Sequence, residues 1–285
     1  MDSFNKDDVV IFLHLPKCGG TTLNRLIEWE YNPLEIFSID PSFFRWSYAR
    51  LSRTPIARFR RIRVFKGHMP FGLHQRLPRA ATYITVLREP VDRAISSYYY
   101  ARSYKLDPYH RIASRLSLEE YIRATRNSNV QTKLVAGLSH DYDFLSGECT
   151  EQMLETAKRN LAEHFSLIGL TERFDESLVL AKILFGWQIR QYANFNVTRA
   201  RPKKEAVPSA IHELIAERYR FDVQLYEYAE RLFDEALKRH ADRVPAELAA
   251  IRGARAMSRG QALYYRIASG VRKAICRANS ALLTI

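Results

Sequence analysis

Residues 9–23 read VVIFLHLPKCGGTTL. The run 9–15 is apolar and rich in β-branched residues, and predicts a buried strand. Residues 16–20 form a loop, and a helix follows to about residue 30, with Leu23, Leu26 and Ile27 at helical spacing and Tyr31 extending the pattern. Glycines let the backbone turn close to a ligand, and the free N–H groups and positive dipole end of the helix face an anion. Lys17 adds a mobile charge, and Thr21 and Thr22 offer hydroxyls. The loop is not a Walker A motif: there Lys and Ser/Thr directly follow the last glycine, whereas here Lys17 precedes adjacent Gly19 and Gly20.

Two further strand–helix units follow. Residues 81–87 (ATYITVL) predict a strand, after which Arg88 and Glu89 lead to Pro90, a residue suited to the first turn of a helix, with Asp92 favouring the positive dipole end. Residues 166–170 predict a third strand, with a helix over 175–187, and residues 64–66 a short extra strand. Strands separated by helices imply an α/β fold: a P-loop-like three-layer αβα arrangement with a central parallel sheet, plus C-terminal helices. Residues 117–161 read as mostly helical, 194–208 as a polar loop and 211–239 as one helix. The composition then shifts to Ala and Arg, which divides the chain into a domain over 7–239 and a basic helical extension over 240–285.

Composition sets bounds on the rest. With 285 residues, 47% of them hydrophobic, the chain can bury a sizeable core and is not disordered. Cys18, Cys149 and Cys276 are odd in number and far apart, so neither a disulfide framework nor a zinc spacing follows. No apolar run of about 18 residues is present, and the first strand is too short and wrongly flanked for a signal peptide. The expectation is a cytoplasmic protein, with attachment at most to a membrane surface. The formal charge is +13, and it is concentrated: residues 41–88 hold eleven Lys/Arg and no acid, and the last 37 residues hold seven more. Two basic zones point to anionic partners or to solvated faces. Phe43, Phe44, Trp46 and Tyr48 interleave with the first zone, as sugar-stacking residues along an acceptor channel or as a packed flap.

Residues 86–100 read VLREPVDRAISSYYY. Arg88 leaves a strand end, where ligands bind in open α/β sheets, and Ser96 lies about two helical turns on, roughly on the same side. An arginine fork with a hydroxyl suits a phosphate monoester. The competing reading of Arg88 is a salt bridge to Glu89 or Asp92. The strand ends in Arg88 and not in an acidic residue that could hold Mg²⁺, as phosphoryl transfer requires. A metal-free site suits a sulfuryl group, which carries less charge.

The stretch HLPKCGGTTL resembles the 5′-phosphosulfate loop of sulfotransferases that use 3′-phosphoadenosine-5′-phosphosulfate (PAPS), of the carbohydrate type related to heparan sulfate and uronyl 2-O-sulfotransferases. The resemblance extends through NVQTKLVAG (129–137), IGLTERFDESL (168–178) and FNVTRARP (195–202), and covers about residues 9–208. It implies that Lys17, Gly19, Gly20, Thr21 and Thr22 hold the phosphosulfate, with Cys18 where the family more often has Thr. It implies that Arg88 and Ser96 hold the 3′-phosphate, and that Arg199 and Arg201 lie in a closing loop as anion contacts. Tyr98, Tyr99 and Tyr100 become packing or adenine-side walls. In FKGHMPF (65–71), Gly67–His68 matches the position of the family's catalytic base, an assignment for which His14 and His74 compete.

The function expected is therefore in-line transfer of the sulfuryl group of PAPS to an acceptor hydroxyl, on a carbohydrate, with His68 as general base, Lys17 stabilising developing charge, and no metal. A P-loop-type nucleotide kinase is the first alternative, opposed by the position of Lys17 and the missing acid. A basic nucleic-acid-binding protein without catalysis is the second; it leaves two ordered phosphate motifs unexplained, and no nucleic-acid partner is expected. In residues 263–282, Leu263, Tyr264, Ile267, Val271, Ala274, Ile275, Ala278 and Leu282 share an arc of about 120°, opposite Arg266, Arg272, Lys273 and Arg277. Such a helix either lies on an anionic membrane or docks on the domain or a partner subunit.

Overall fold

The computed structural model describes residues 8–39, 49, 51, 53–126, 128–137, 147–189, 202, 206–255 and 259–284. Five parallel strands form one sheet: β1 (Val9–Leu13), β2 (Ile36–Ser38), β3 (Val64–Gly67), β4 (Ala81–Leu87) and β5 (Phe165–Leu170), in the order β2-β3-β1-β4-β5. All five residues of β1 are buried, as a central strand covered on both faces requires. The chain leaves β1 towards one edge of the sheet and β4 towards the other. Right-handed crossovers therefore put these connections on opposite faces and make the three layers.

Among the described residues the helices with both ends defined are α1 (Gly20–Glu30), α2 (Pro90–Ser103), α3 (His110–Ala113), α4 (Leu118–Ala124), α5 (Val130–Ala136), α6 (Glu151–His164), α7 (Phe174–Phe185), α8 (Ser209–Arg218), α9 (Arg220–Arg239), α10 (Val244–Arg255) and α11 (Arg259–Leu283). The main core surrounds the sheet and takes in Leu23, Phe65, Leu134, Leu161, Val179 and Phe233. A second cluster, with Ile95, Tyr98, Tyr121, Ile215 and Tyr219, joins α2, α4 and α8. α10 packs on α7, and α11 packs on α1, on β2 and on the turn Pro33–Glu35. Ile251 and Cys276 of these last helices are fully buried in the main core.

Several expected boundaries move. The first strand ends at Leu13, although the His14 N–H still bonds the Gly67 carbonyl at 3.0 Å. The helix read over 175–187 stops at Phe185, where Gly186 takes φ +69° as a left-handed cap. The helix read over 211–239 is two, because Tyr219 leaves helical geometry (φ −108°, ψ 25°) and turns its ring into the second cluster under Arg93. β2 is an additional strand of three residues. Among the described residues no helix is long and apolar enough to cross a membrane.

Candidate active site

The loop after β1 and the end of β4 meet in the crevice where the chain departs to opposite faces, the usual ligand position in such sheets. Lys17 and Gly19 both take positive φ, 68° and 70°. Gly19 caps α1 with its backbone alone: no side chain caps the helix and its first turn holds no acid. The dipole end is thus electrostatically open to an anion. A Cβ on Gly20 would stand 2.2 Å from His14 Cδ2, so the glycine is what lets the His14 ring lie against the helix start. Thr22 is buried and donates its N–H to the Gly19 carbonyl at 3.1 Å; Thr21 is half-buried. The Lys17 ammonium sits 3.7 Å from the centre of the Tyr100 ring, a cation–π contact.

Cys18 turns inward. Its buried thiol donates to Gln131 Oε1 at 3.3 Å and approaches the Pro16 carbonyl at 3.5 Å. Burial pushes this thiol up to about 12. Cys18 therefore ties the loop to α5 as a neutral group. Gln131 also accepts from the Arg88 N–H and donates to the Arg88 carbonyl, both at 2.9 Å, so one amide fixes both loops. α5 itself hangs on Asp222 at the start of α9, whose carboxylate accepts the Thr132 N–H and hydroxyl at 2.8 Å. Asp222 also faces the buried Arg93 at 3.7 Å.

Arg88 donates through Nη1 to the Lys17 carbonyl at 2.9 Å, which joins the two motifs directly. Its Nε bonds Asp92 Oδ2 at 2.8 Å and its Nη2 bonds the same oxygen. The salt-bridge reading of Arg88 thus holds with Asp92. The Glu89 carboxylate caps α2 by accepting the Val91 and Asp92 N–H groups at 3.0 and 2.8 Å. Ser96 is buried on α2, two turns further on. Tyr98 is a packing residue, its hydroxyl on the Leu116 carbonyl at 2.9 Å.

Gly67 ends β3 with φ +142°, and a Cβ there would stand 2.6 Å from Ile39 Cβ. His68 follows, half-buried, its ring stacked on His14 with centroids 4.4 Å apart. His68 Nδ1 lies 2.6 Å from the His14 carbonyl. A carbonyl only accepts, so Nδ1 carries the proton and Nε2 keeps its lone pair. Burial lowers the pKa of His68 below the ordinary histidine value, against the opposing effect of that hydrogen bond. His14 is lowered well below the ordinary value, first by burial and then by His68, Lys66 and Lys17. Its Nδ1 accepts from Asn24 Nδ2 at 3.0 Å. Both imidazoles are neutral at neutral pH.

Two expectations about basic and histidine residues change. Lys66 belongs to the first basic zone, yet it is buried against Glu28 at 2.8 Å. His74 lies near the other end of β4, on the Tyr83 hydroxyl at 3.0 Å, away from the loops. Arg199 and Arg201, like Phe43, Phe44, Trp46 and Tyr48, fall outside the described residues. Among the described residues no three of His, Cys, Asp and Glu gather into a metal-binding group. Gln131 and Asp222 are the supporting residues that sequence reasoning did not single out. The stretch 129–137 stood out only as part of a resemblance, and contacts some 90 residues apart leave no local pattern.

These features define an α/β protein in which a glycine-containing loop at an acid-free helix start lies beside a pair of stacked imidazoles. The chain belongs to the galactose-3-O-sulfotransferase family, whose sequence model matches residues 10–266. Human galactose-3-O-sulfotransferase 3 is 29% identical over 194 residues, covering 63% of this chain and 43% of that protein. Human heparan-sulfate 6-O-sulfotransferase 1 is 27% identical over 278 residues, covering 80% of this chain and 66% of the relative. The heparan sulfate 2-O-sulfotransferase of Caenorhabditis elegans is 23% identical over 258 residues, covering 81% and 80%. The chain thus spans about two fifths of the length of the galactose-3-O-sulfotransferase it matches. Among solved structures, mouse sulfotransferase SULT7A1 complexed with PAP aligns at TM-score 0.40 and 16% identity, covering 80% of this chain and 91% of that one.

Proposed function

We propose that the protein transfers the sulfuryl group of PAPS to a hydroxyl of a carbohydrate acceptor. The observation that carries this reading is the pairing of an uncapped, acid-free helix N-terminus with an imidazole whose Nε2 is left as the base atom. The donor fits the residues present. Gly19, at φ +70°, lets the loop turn at the helix start with no side chain of its own, and Lys17 and Arg88 supply positive charge. The loop N–H groups with Lys17, Thr21 and Thr22 hold the 5′-phosphosulfate. Arg88 and Ser96 hold the 3′-phosphate; the carboxylate of Asp92 keeps Arg88 oriented and takes part of its donor set.

In the reaction His68 Nε2 takes the acceptor hydroxyl proton as that oxygen attacks sulfur. The bond from sulfur to the phosphate oxygen breaks in line, and adenosine 3′,5′-bisphosphate leaves with the negative charge that Lys17 and the loop N–H groups stabilise. His14 holds the His68 ring by stacking and through its carbonyl. The family relatives, named for galactose and heparan sulfate hydroxyls, support a glycan acceptor. A membrane surface met peripherally through residues 263–282 is the second proposed partner. Domain boundaries at 7–239 and 240–285 remain the proposed functional division.

A thermal-shift series tests the donor. Adenosine 3′,5′-bisphosphate without metal is expected to raise Tm, and Arg88→Ala to abolish the rise. Stabilisation by ATP with Mg²⁺ alone would overturn the reading in favour of a kinase.

A further inference from the structure

The C-terminal helix docks by its polar side. Facing the domain are Tyr265, Ser269, Cys276 and Ser280, all buried. Ser269 accepts the Trp29 Nε1–H at 2.9 Å on its hydroxyl and the Arg25 guanidinium at 3.0 Å on its carbonyl. Arg272 bonds the Glu28 and Tyr31 carbonyls, and the Ser280 hydroxyl accepts the Ser38 N–H at 2.8 Å. These contacts end the free rotation of α11 about its axis and fix which side looks outward.

The outward side is apolar. Leu263, Tyr264, Ile267, Val271 and Leu282 are 55–69% exposed and Ile275 is 40% exposed. They form one stripe along a helix of 25 residues, about 37 Å long. A continuous exposed apolar stripe on a folded domain marks an interaction surface. At about 100° per residue, Arg266, Lys273 and Arg277 line one border of the stripe. The last acid of the chain is Glu247, and seven Lys/Arg follow it. A second copy presenting the same face would bring like charges together, whereas an anionic lipid surface complements both the stripe and its border.

We infer that the outward face of α11 is a docking surface for anionic membranes. The helix lies in the interface with its apolar stripe among the acyl chains and its basic border at the headgroups. The surface is separate from the donor site, so its failure would leave the sulfuryl-transfer reading standing.

Co-sedimentation of the full chain with vesicles tests it. Vesicles containing phosphatidylserine are expected to bind the chain about tenfold or more better than phosphatidylcholine alone, and less well as salt rises. The double variant Ile267→Asn/Val271→Asn changes only exposed side chains, and is expected to lose about tenfold or more in partitioning with unchanged Tm and unchanged response to adenosine 3′,5′-bisphosphate. Full chain left in the supernatant with phosphatidylserine vesicles would overturn the inference. So would a double variant that binds like the parent, or a dimer in solution that this variant dissociates.

Discussion

His68 is held at three points: by Gly67 behind it, by the His14 ring beside it and by the His14 carbonyl on Nδ1. On the proposed role of Nε2 as the base, His68→Ala should cut turnover by about 10²–10⁴-fold. Donor binding and Tm should stay near the parent values; steady-state kinetics with a parallel binding assay checks both. Burial lowers the His68 pKa, so the base form persists below pH 6.5, and the acid limb of the kcat/KM profile should lie below that value. Stability should follow the same sign. When the chain unfolds, His14 and His68 regain their ordinary affinity for protons, so below about pH 6.5 the unfolded state binds more protons than the folded one. Their contribution is full above pH 6.5 and is lost as pH falls through the lowered folded values, which urea titrations across that range will show. Cys18, pushed up to about 12, and Cys276, up to about 11, should both resist alkylation in the native protein at pH 8, as mass mapping will report.

At the scale of elements, two short connections decide whether the site forms. Gly20 admits the His14 ring, and Gly20→Ala forces contact at 2.2 Å. It should cost about 1–3 kcal/mol in denaturant unfolding and displace the imidazole pair. Gln131 fixes the Arg88 backbone on both sides and holds Cys18, so Gln131→Ala should cost about 1–3 kcal/mol for each buried polar group left unpaired and weaken donor binding through Arg88. β1, α1, β4 and the start of α2 were legible in the sequence, because apolar runs there are punctuated by Gly and Pro. β2 was not, since three residues carry no period. The break at Tyr219 was hidden because both flanking helices keep apolar residues at the same spacing. The link from α9 through Asp222 to α5 and on to the loops is tertiary, and no local pattern records it.

Over the whole molecule, α11 reaches back to the sheet edge at β2 and to α1, the helix that starts at Gly20. Glu28 receives Arg272 on its carbonyl and Lys66 and Arg25 on its carboxylate, and Asn24 one turn earlier holds His14. Glu28→Gln, which leaves Lys66 buried beside a neutral amide, should cost about 3–5 kcal/mol. Removal of residues 259–285 should lower Tm and expose the β2 edge, so point substitutions on the outer face are the proper probe of its function. The amphipathic pattern correctly grouped the apolar residues of this helix. It could not say that the serines and Arg272 would dock, because that choice follows from carbonyls and N–H groups on α1 and β2 that need partners. The two motifs that began as separate anion grips are joined by one bond, from Arg88 to the Lys17 carbonyl.

The most direct measurement is mass spectrometry of galactose- and uronate-containing oligosaccharides after incubation with PAPS and the full chain. Sulfated product from the parent, and its loss in His68→Ala while adenosine 3′,5′-bisphosphate still binds, is the predicted result. No sulfated glycan from a parent protein that binds the nucleotide, or undiminished product from the variant, would contradict it.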